Sequence, residues 1–183
     1  MQFKRLRTIF LNVQLKLSQG YFLRGLQLEK SRLCPYGPKT CLTAVFELRG
    51  GTPLNIYQHF SVVGFCNTYL VASKKHSEAL LIDPGHVDSE LINLIETNKY
   101  NLRHVLLTHR HISHMEGLGT LKKIYDVTVY GSSFSSYDFP YQSVEDKQIL
   151  NLCNLAIEVI HVPGHSLDSM VFKIDHALFT GDT

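Results

Sequence analysis

Three of the ten histidines fall within six residues, in Thr108-His109-Arg110-His111-Ile112-Ser113-His114, directly after the apolar run Val105-Leu106-Leu107. Neutral imidazole is the commonest side-chain metal ligand near neutral pH. Residues i and i+2 share a direction on an extended strand end, so His109 and His111 can reach one ion. On a helix the same pair would diverge by about 200°. The spacing therefore predicts a strand that runs into a metal-binding loop, with a His-rich surface turn as the plainer alternative.

Two further clusters lie downstream. His161-Val162-Pro163-Gly164-His165-Ser166 places a Pro-Gly turn at the end of an apolar stretch, and such a turn swings the next side chain away from the strand. His165 can thus complete a three-histidine set with His109 and His111, leaving a tetrahedral zinc one open position for water. His161 has the opposite strand parity and reads as a supporting or surface residue. The third cluster, Phe179-Thr180-Gly181-Asp182-Thr183, ends an apolar strand in Gly-Asp. It delivers a carboxylate that can bridge two cations, with a glycine that permits close backbone approach.

The elements that must position these residues follow from the hydrophobic patterning. Residues 9–17 end in a clean alternation that suits a half-buried strand, although a helical stripe also fits them. Residues 43–48 read as a strand, and Gly50-Gly51-Thr52-Pro53 as a break. A domain boundary is expected there, with residues 1–55 as an N-terminal arm or additional strands and 56–183 as the main body. Strands are expected at 65–71, 79–82, 104–107 and 127–130. Helices are expected around Leu91, Ile92, Leu94 and Ile95, and around Leu118, Leu121 and Ile124. Residues 132–144 read as a polar and aromatic loop. Short strands should follow at 149–152, 155–162, 170–174 and 177–180. Strands interleaved with helices, then a run of strands, indicate a layered α/β or α+β fold.

Composition narrows the function classes. The chain has 183 residues, 44% hydrophobic and 19% charged, enough for one domain with a substantial core. No apolar run approaches the roughly 20 residues of a membrane-spanning helix, so no membrane span is expected. Residues 1–50 carry nine Lys/Arg against two acids, and residues 51–183 carry nine against fourteen. The first part is therefore basic at +7 and the second acidic at −5. The basic arm lacks the aromatic interleaving of a nucleic-acid platform, so nucleic acid is not an expected partner. Cys34, Cys41, Cys66 and Cys153 form no C-x-x-C pair, which suits a reducing compartment, and the cytoplasm is expected.

Together the clusters resemble the metallo-β-lactamase fold superfamily, and within it glyoxalase II-type hydrolases. The resemblance rests on Asn67-Thr68-Tyr69-Leu70, Ile82-Asp83-Pro84-Gly85, Thr108-His109-x-His111-x-x-His114-x-x-Gly117, Pro163-Gly164-His165-Ser166 and Phe179-Thr180-Gly181-Asp182-Thr183. It spans roughly residues 58–183. It implies an αββα sandwich with metals at one edge of two sheets, here incomplete at the C-terminus and extended by the basic N-terminal arm. It further implies that His109, His111 and His165 hold a first metal, and that His114 and a bridging Asp182 serve a second. Zinc is the expected metal, one ion or two, with iron as the alternative.

Two departures bear on activity. Ser113 stands where the family places an aspartate that ligates the second metal and handles the proton of the attacking water. The chain also ends at Thr183, where family members continue with another histidine ligand. The resemblance implies a metal-dependent hydrolase of a small-molecule thioester or other acyl substrate, acting by attack of metal-bound hydroxide, with Asp182 and His114 as catalytic residues. Ser113 and the early end weaken that activity in expectation, and the alternative is a catalytically degenerate metal-binding or scaffold module. The exposed C-terminal strand offers an edge for oligomer formation.

Overall fold

Alternation with period two runs through the body of the chain and builds two stacked sheets. The computed structural model describes residues 41–47, 54–61, 64–73 and 77–183. The pattern at residues 9–17 and the break at 50–53 lie outside the described residues. The larger sheet contains β1 (Cys41–Glu47), β2 (Leu54–Ser61), β3 (Cys66–Ser73), β4 (Glu78–Ile82), β5 (Asn101–Leu106), β6 (Thr128–Ser132) and β7 (Gln142–Val144), in that spatial order. Strands β1 to β4 pair antiparallel. Strands β4 to β7 pair parallel. The smaller sheet has the order β11 (Ala177–Phe179), β10 (Met170–Ile174), β9 (Leu155–His161) and β8 (Ile149–Leu152), antiparallel throughout.

Parallel strands need crossovers, and helices supply two of the three, the step from β6 to β7 being a loop. Helix α1 (Ser89–Thr97) joins β4 to β5, while α2 (Ile112–Met115) and α3 (Leu118–Ile124) join β5 to β6. Asp88 caps α1 by accepting a hydrogen bond from the Leu91 amide at 2.9 Å, satisfying one of the orphan donors of the first turn. Leu91 and Ile95 then fall on one buried face.

Strands β3 and β4 bury both faces, which explains their apolar runs Tyr69–Ala72 and Ala79–Ile82, and β5 does so at its end, Val105-Leu106. Tyr69, Val71, Leu80, Ile82 and Leu106 point into the core between the sheets, against Ile157, Val159, Met170 and Phe172 of the smaller sheet. Their neighbours Leu70, Ala72, Leu81, Val105 and Leu107 point the other way, against Leu91, Ile95, Leu118 and Leu121 of the helices. Among the described residues the helices thus cover the outer face of the larger sheet. None of these helices is long and apolar enough to cross a membrane.

Two strands carry no expectation from the sequence. β2 pairs with the whole of β1 through Asn55–Ser61, so residues 41–47 share a sheet with the body across the boundary expected at residue 55. Its pattern is obscured because a polar residue, His59, is fully buried in it. β7 closes the stretch expected as a loop, and only Val144 of its three residues is buried. A short edge strand of that kind has no apolar periodicity to read.

His59 makes the fold acid-sensitive. Burial holds its imidazole below the ordinary value, with the neighbouring His86 acting in the same sense and Asp88, 3.4 Å away, opposing. The unfolded chain titrates this ring near pH 6.5. Between that value and the lower folded one, the unfolded state binds the extra proton, so stability falls as pH drops below about 6.5. Denaturant unfolding at about pH 7.5 and about pH 5.5 should therefore show a steeper acid loss for the native chain than for His59→Gln. Equal slopes would mean that His59 is not held neutral by the fold.

Candidate metal centre

Parallel pairing sets the C-terminal ends of β4 and β5 side by side, and the smaller sheet brings the ends of β9 and β11 to the same edge. Asp83 follows β4, His109 and His111 follow β5, His165 follows β9, and Asp182 follows β11. The chain bends at Thr108 and His109 and is extended again at His111, which precedes α2 with φ −63° and ψ 137°. The two rings still converge, with His109 Nε2 2.9 Å from His111 Nδ1. One helical turn later the His114 amide bonds the His111 carbonyl at 3.0 Å, returning the third imidazole to the same edge.

His109, His111, His165 and Asp182 form a group in which one donor atom from each lies within 4.8 Å of every other. His111 Nδ1 is 2.9 Å from His109 Nε2 and 2.9 Å from His165 Nε2. Asp182 Oδ2 lies 3.9 Å from His109 Nε2 and 3.7 Å from His165 Nε2. Donors on a tetrahedral ion with bonds of about 2.0–2.1 Å stand about 3.3–3.4 Å apart, a value inside this spread. Three nitrogen lone pairs and a carboxylate form a donor set suited to a borderline dication. The residues present fit one such ion. His109 is buried, whereas the other three are exposed, so the group opens to solvent on one side.

His114 stands beside this group. Its Nε2 is 3.2 Å from Asp182 Oδ1, and its Nδ1 is 3.0 Å from Asp83 Oδ2. Burial opposes charge on this ring, but the hydrogen bond and charge of Asp83 outweigh it and push its pKa up to about 11. His109 behaves oppositely. Burial first, and the neighbouring His114 second, hold it down to about 4, so it remains a neutral base. All five residues singled out by the sequence thus meet at one edge, four in a common group and the fifth through Asp182. His161 does not join them: its ring stacks on Phe134 with centroids 4.1 Å apart and bonds the Leu167 carbonyl at 2.8 Å.

Three residues at the site were given no role in the sequence reading, although Asp83 and Thr108 stand in segments that carry the resemblance. Asp83 is buried, adopts a left-handed backbone with φ 51°, and accepts bonds from the Thr108 amide at 2.8 Å and the Thr108 hydroxyl at 2.6 Å. Thr108 is itself buried. Cys66 lies 3.6 Å from His114 Nδ1, and burial pushes its thiol above the ordinary value. Asp83 had a visible signal, since a charged residue directly ends the apolar β4, but Asp-Pro-Gly also reads as a simple strand stop.

Residues 61–150 match the family model described as the metallo-β-lactamase superfamily. The chain carries a metallo-β-lactamase superfamily domain. His109, His111 and His114 fall inside the matched segment, and His165 and Asp182 lie beyond it. Among curated relatives, the chain is 35% identical over 122 residues to an atrochrysone carboxyl ACP thioesterase of a Cryptosporiopsis species, covering 63% of this chain and 37% of that protein. It is 31% identical over 121 residues to a hydroxyacylglutathione hydrolase of Tolumonas auensis, covering 64% and 47%. The crystal structure of ETHE1 from Myxococcus xanthus matches with a TM-score of 0.61 at 28% identity, covering 68% of this chain and 56% of that one. The chain spans about half or less of the length of these curated relatives.

Close approach also shapes the site. Gly181, with φ +56°, lies so near Thr108 that a Cβ there would stand 2.3 Å from the Thr108 hydroxyl oxygen. Gly181→Ala should therefore cost about 1–3 kcal/mol of stability, read by denaturant unfolding. Stability equal to that of the native chain would contradict the contact between the Asp182 turn and Thr108.

Proposed function

We propose that this chain is a metal-dependent hydrolase of a thioester or related small acyl substrate, working around one divalent ion. The convergence of three imidazole nitrogens and one carboxylate at the sheet edge carries this reading. His109 Nε2, His111 Nδ1 and His165 Nε2 would hold the ion, with Asp182 completing the donor set. When bound, the ion polarises the acyl carbonyl and lowers the pKa of its water to about 7. Zinc suits three nitrogens and an oxygen, and iron is the alternative for a His and carboxylate set. The thioester preference draws support from relatives named hydroxyacylglutathione hydrolase and ACP thioesterase.

Asp182 and His114 do the remaining work in this scheme. The Asp182 carboxylate turns Oδ2 toward the donor group and Oδ1 toward His114, so it can orient a water and take its proton. His114, anchored on Asp83 at its far nitrogen, fixes the direction of that carboxylate. Exposed His111 and His165 flank the side from which substrate enters. For a second ion the described residues offer His114 Nε2 and Asp182, and the Ser113 hydroxyl is a poor substitute for a further carboxylate. The described donor group thus suits one ion. Ser113 also favours a second reading, a metal-binding module with little turnover. The cytoplasm is the expected compartment, consistent with Cys66 and Cys153 as buried free thiols.

Metal analysis and thioester assays decide between these readings. The purified chain should bind one zinc, and His109→Ala should lose it; retained metal in that variant would overturn the donor assignment. Ser113→Asp should raise both metal stoichiometry and hydrolysis, the latter toward the about 100- to 10,000-fold that positioned acid–base groups supply. If it raises neither, the catalytic reading gives way to the metal-binding module.

A further inference from the structure

Thr108 touches every loop that carries a donor. Its hydroxyl oxygen lies 3.0 Å from His109 Nδ1 on its own loop. Its carbonyl accepts from the Met170 amide at 2.7 Å, tying down the far end of the loop that holds His165. Gly181, next to Asp182, packs against its side chain. Asp83 receives both its amide and its hydroxyl.

The hydroxyl has one hydrogen, and the 2.6 Å bond to Asp83 Oδ2 uses it. Toward His109 Nδ1 the Thr108 oxygen can then only accept. His109 Nδ1 must therefore carry a hydrogen, and in the neutral ring Nε2 is left with the lone pair. Nε2 is the atom that faces His111, His165 and Asp182. We propose that Thr108 and Asp83 are positioning residues that fix His109 in the Nδ1–H tautomer and so keep its Nε2 lone pair aimed at the donor group. Asp83 Oδ2 also bonds His114 Nδ1 at 3.0 Å, so one carboxylate orients two imidazoles through two routes, one direct and one relayed. A partner on the remote nitrogen sets both tautomer and ring direction.

The inference rests on the proposed metal site for its purpose but not for its first test. In metal-free protein near neutral pH, long-range proton–nitrogen correlation spectra of His109 should show Nδ1 protonated and Nε2 bare. A hydrogen on Nε2, alone or on both nitrogens, overturns the proposal. Titration with zinc then tests the consequence: Thr108→Ala should weaken binding about 10- to 100-fold, and Thr108→Ser should restore it. Native affinity in Thr108→Ala, or no rescue by serine while the variant remains folded, also overturns it. If the native chain binds no zinc, the hydrolase reading fails by itself, and the ring spectra alone decide the tautomer.

Discussion

The Asp83 carboxylate is the fixed point on which the site depends. A buried carboxylate is costly unless hydrogen bonds replace its water, and here the Thr108 amide, the Thr108 hydroxyl and His114 Nδ1 do so at 2.6–3.0 Å. Its backbone is equally constrained. A left-handed aspartate costs on the order of 1 kcal/mol or more and persists only where its surroundings over-determine it. Thr68 donates its hydroxyl to the Asp83 carbonyl at 2.7 Å, and the Gly85 amide bonds the same oxygen at 2.8 Å. Strand β3, strand β4 and the loop after β5 therefore meet on one residue.

That arrangement explains why donors so far apart in sequence share one edge. The parallel pairing of β4 and β5 sets Asp83 beside Thr108, and the Asp83 amide bonds the Leu106 carbonyl at 3.0 Å. The smaller sheet arrives through Met170 and Thr108, and its register carries β11 alongside β10. The edge-on contact of Tyr69 with Phe179, ring centroids 5.2 Å apart, fastens the two sheets just below the Asp182 turn. The burial gradient across the group, from His109 inside to three exposed donors, gives an ion a rigid inner ligand and an open outer face.

Much of this was legible in the sequence, and for physical reasons. Period-two alternation and Asp-Pro-Gly or Pro-Gly stops place the strands and the loops at their ends, and i, i+2 histidines read as a ligand pair because a strand end is extended. The turn before His165 offered it as a third imidazole, but only the resemblance brought His165 and Asp182 together on that pair, since no local pattern encodes contact across 54 or more residues. β2 escaped notice because the buried His59 breaks its apolar alternation, and β7 because an edge strand of three residues has too little buried surface to leave a pattern. Thr108 and Asp83 were hidden for another reason. Their importance lies in a shared hydrogen, and hydrogen-bond direction is invisible in residue spacing.

The account turns on three imidazoles and one carboxylate meeting at a single ion, with the Cys66 thiol close by but outside the donor set. X-ray absorption at the zinc edge of the reconstituted chain tests that most directly. The account predicts one class of zinc with three imidazole nitrogens and oxygen at about 2.0–2.2 Å. A sulfur scatterer at about 2.3 Å, or fewer than three imidazoles, would contradict it.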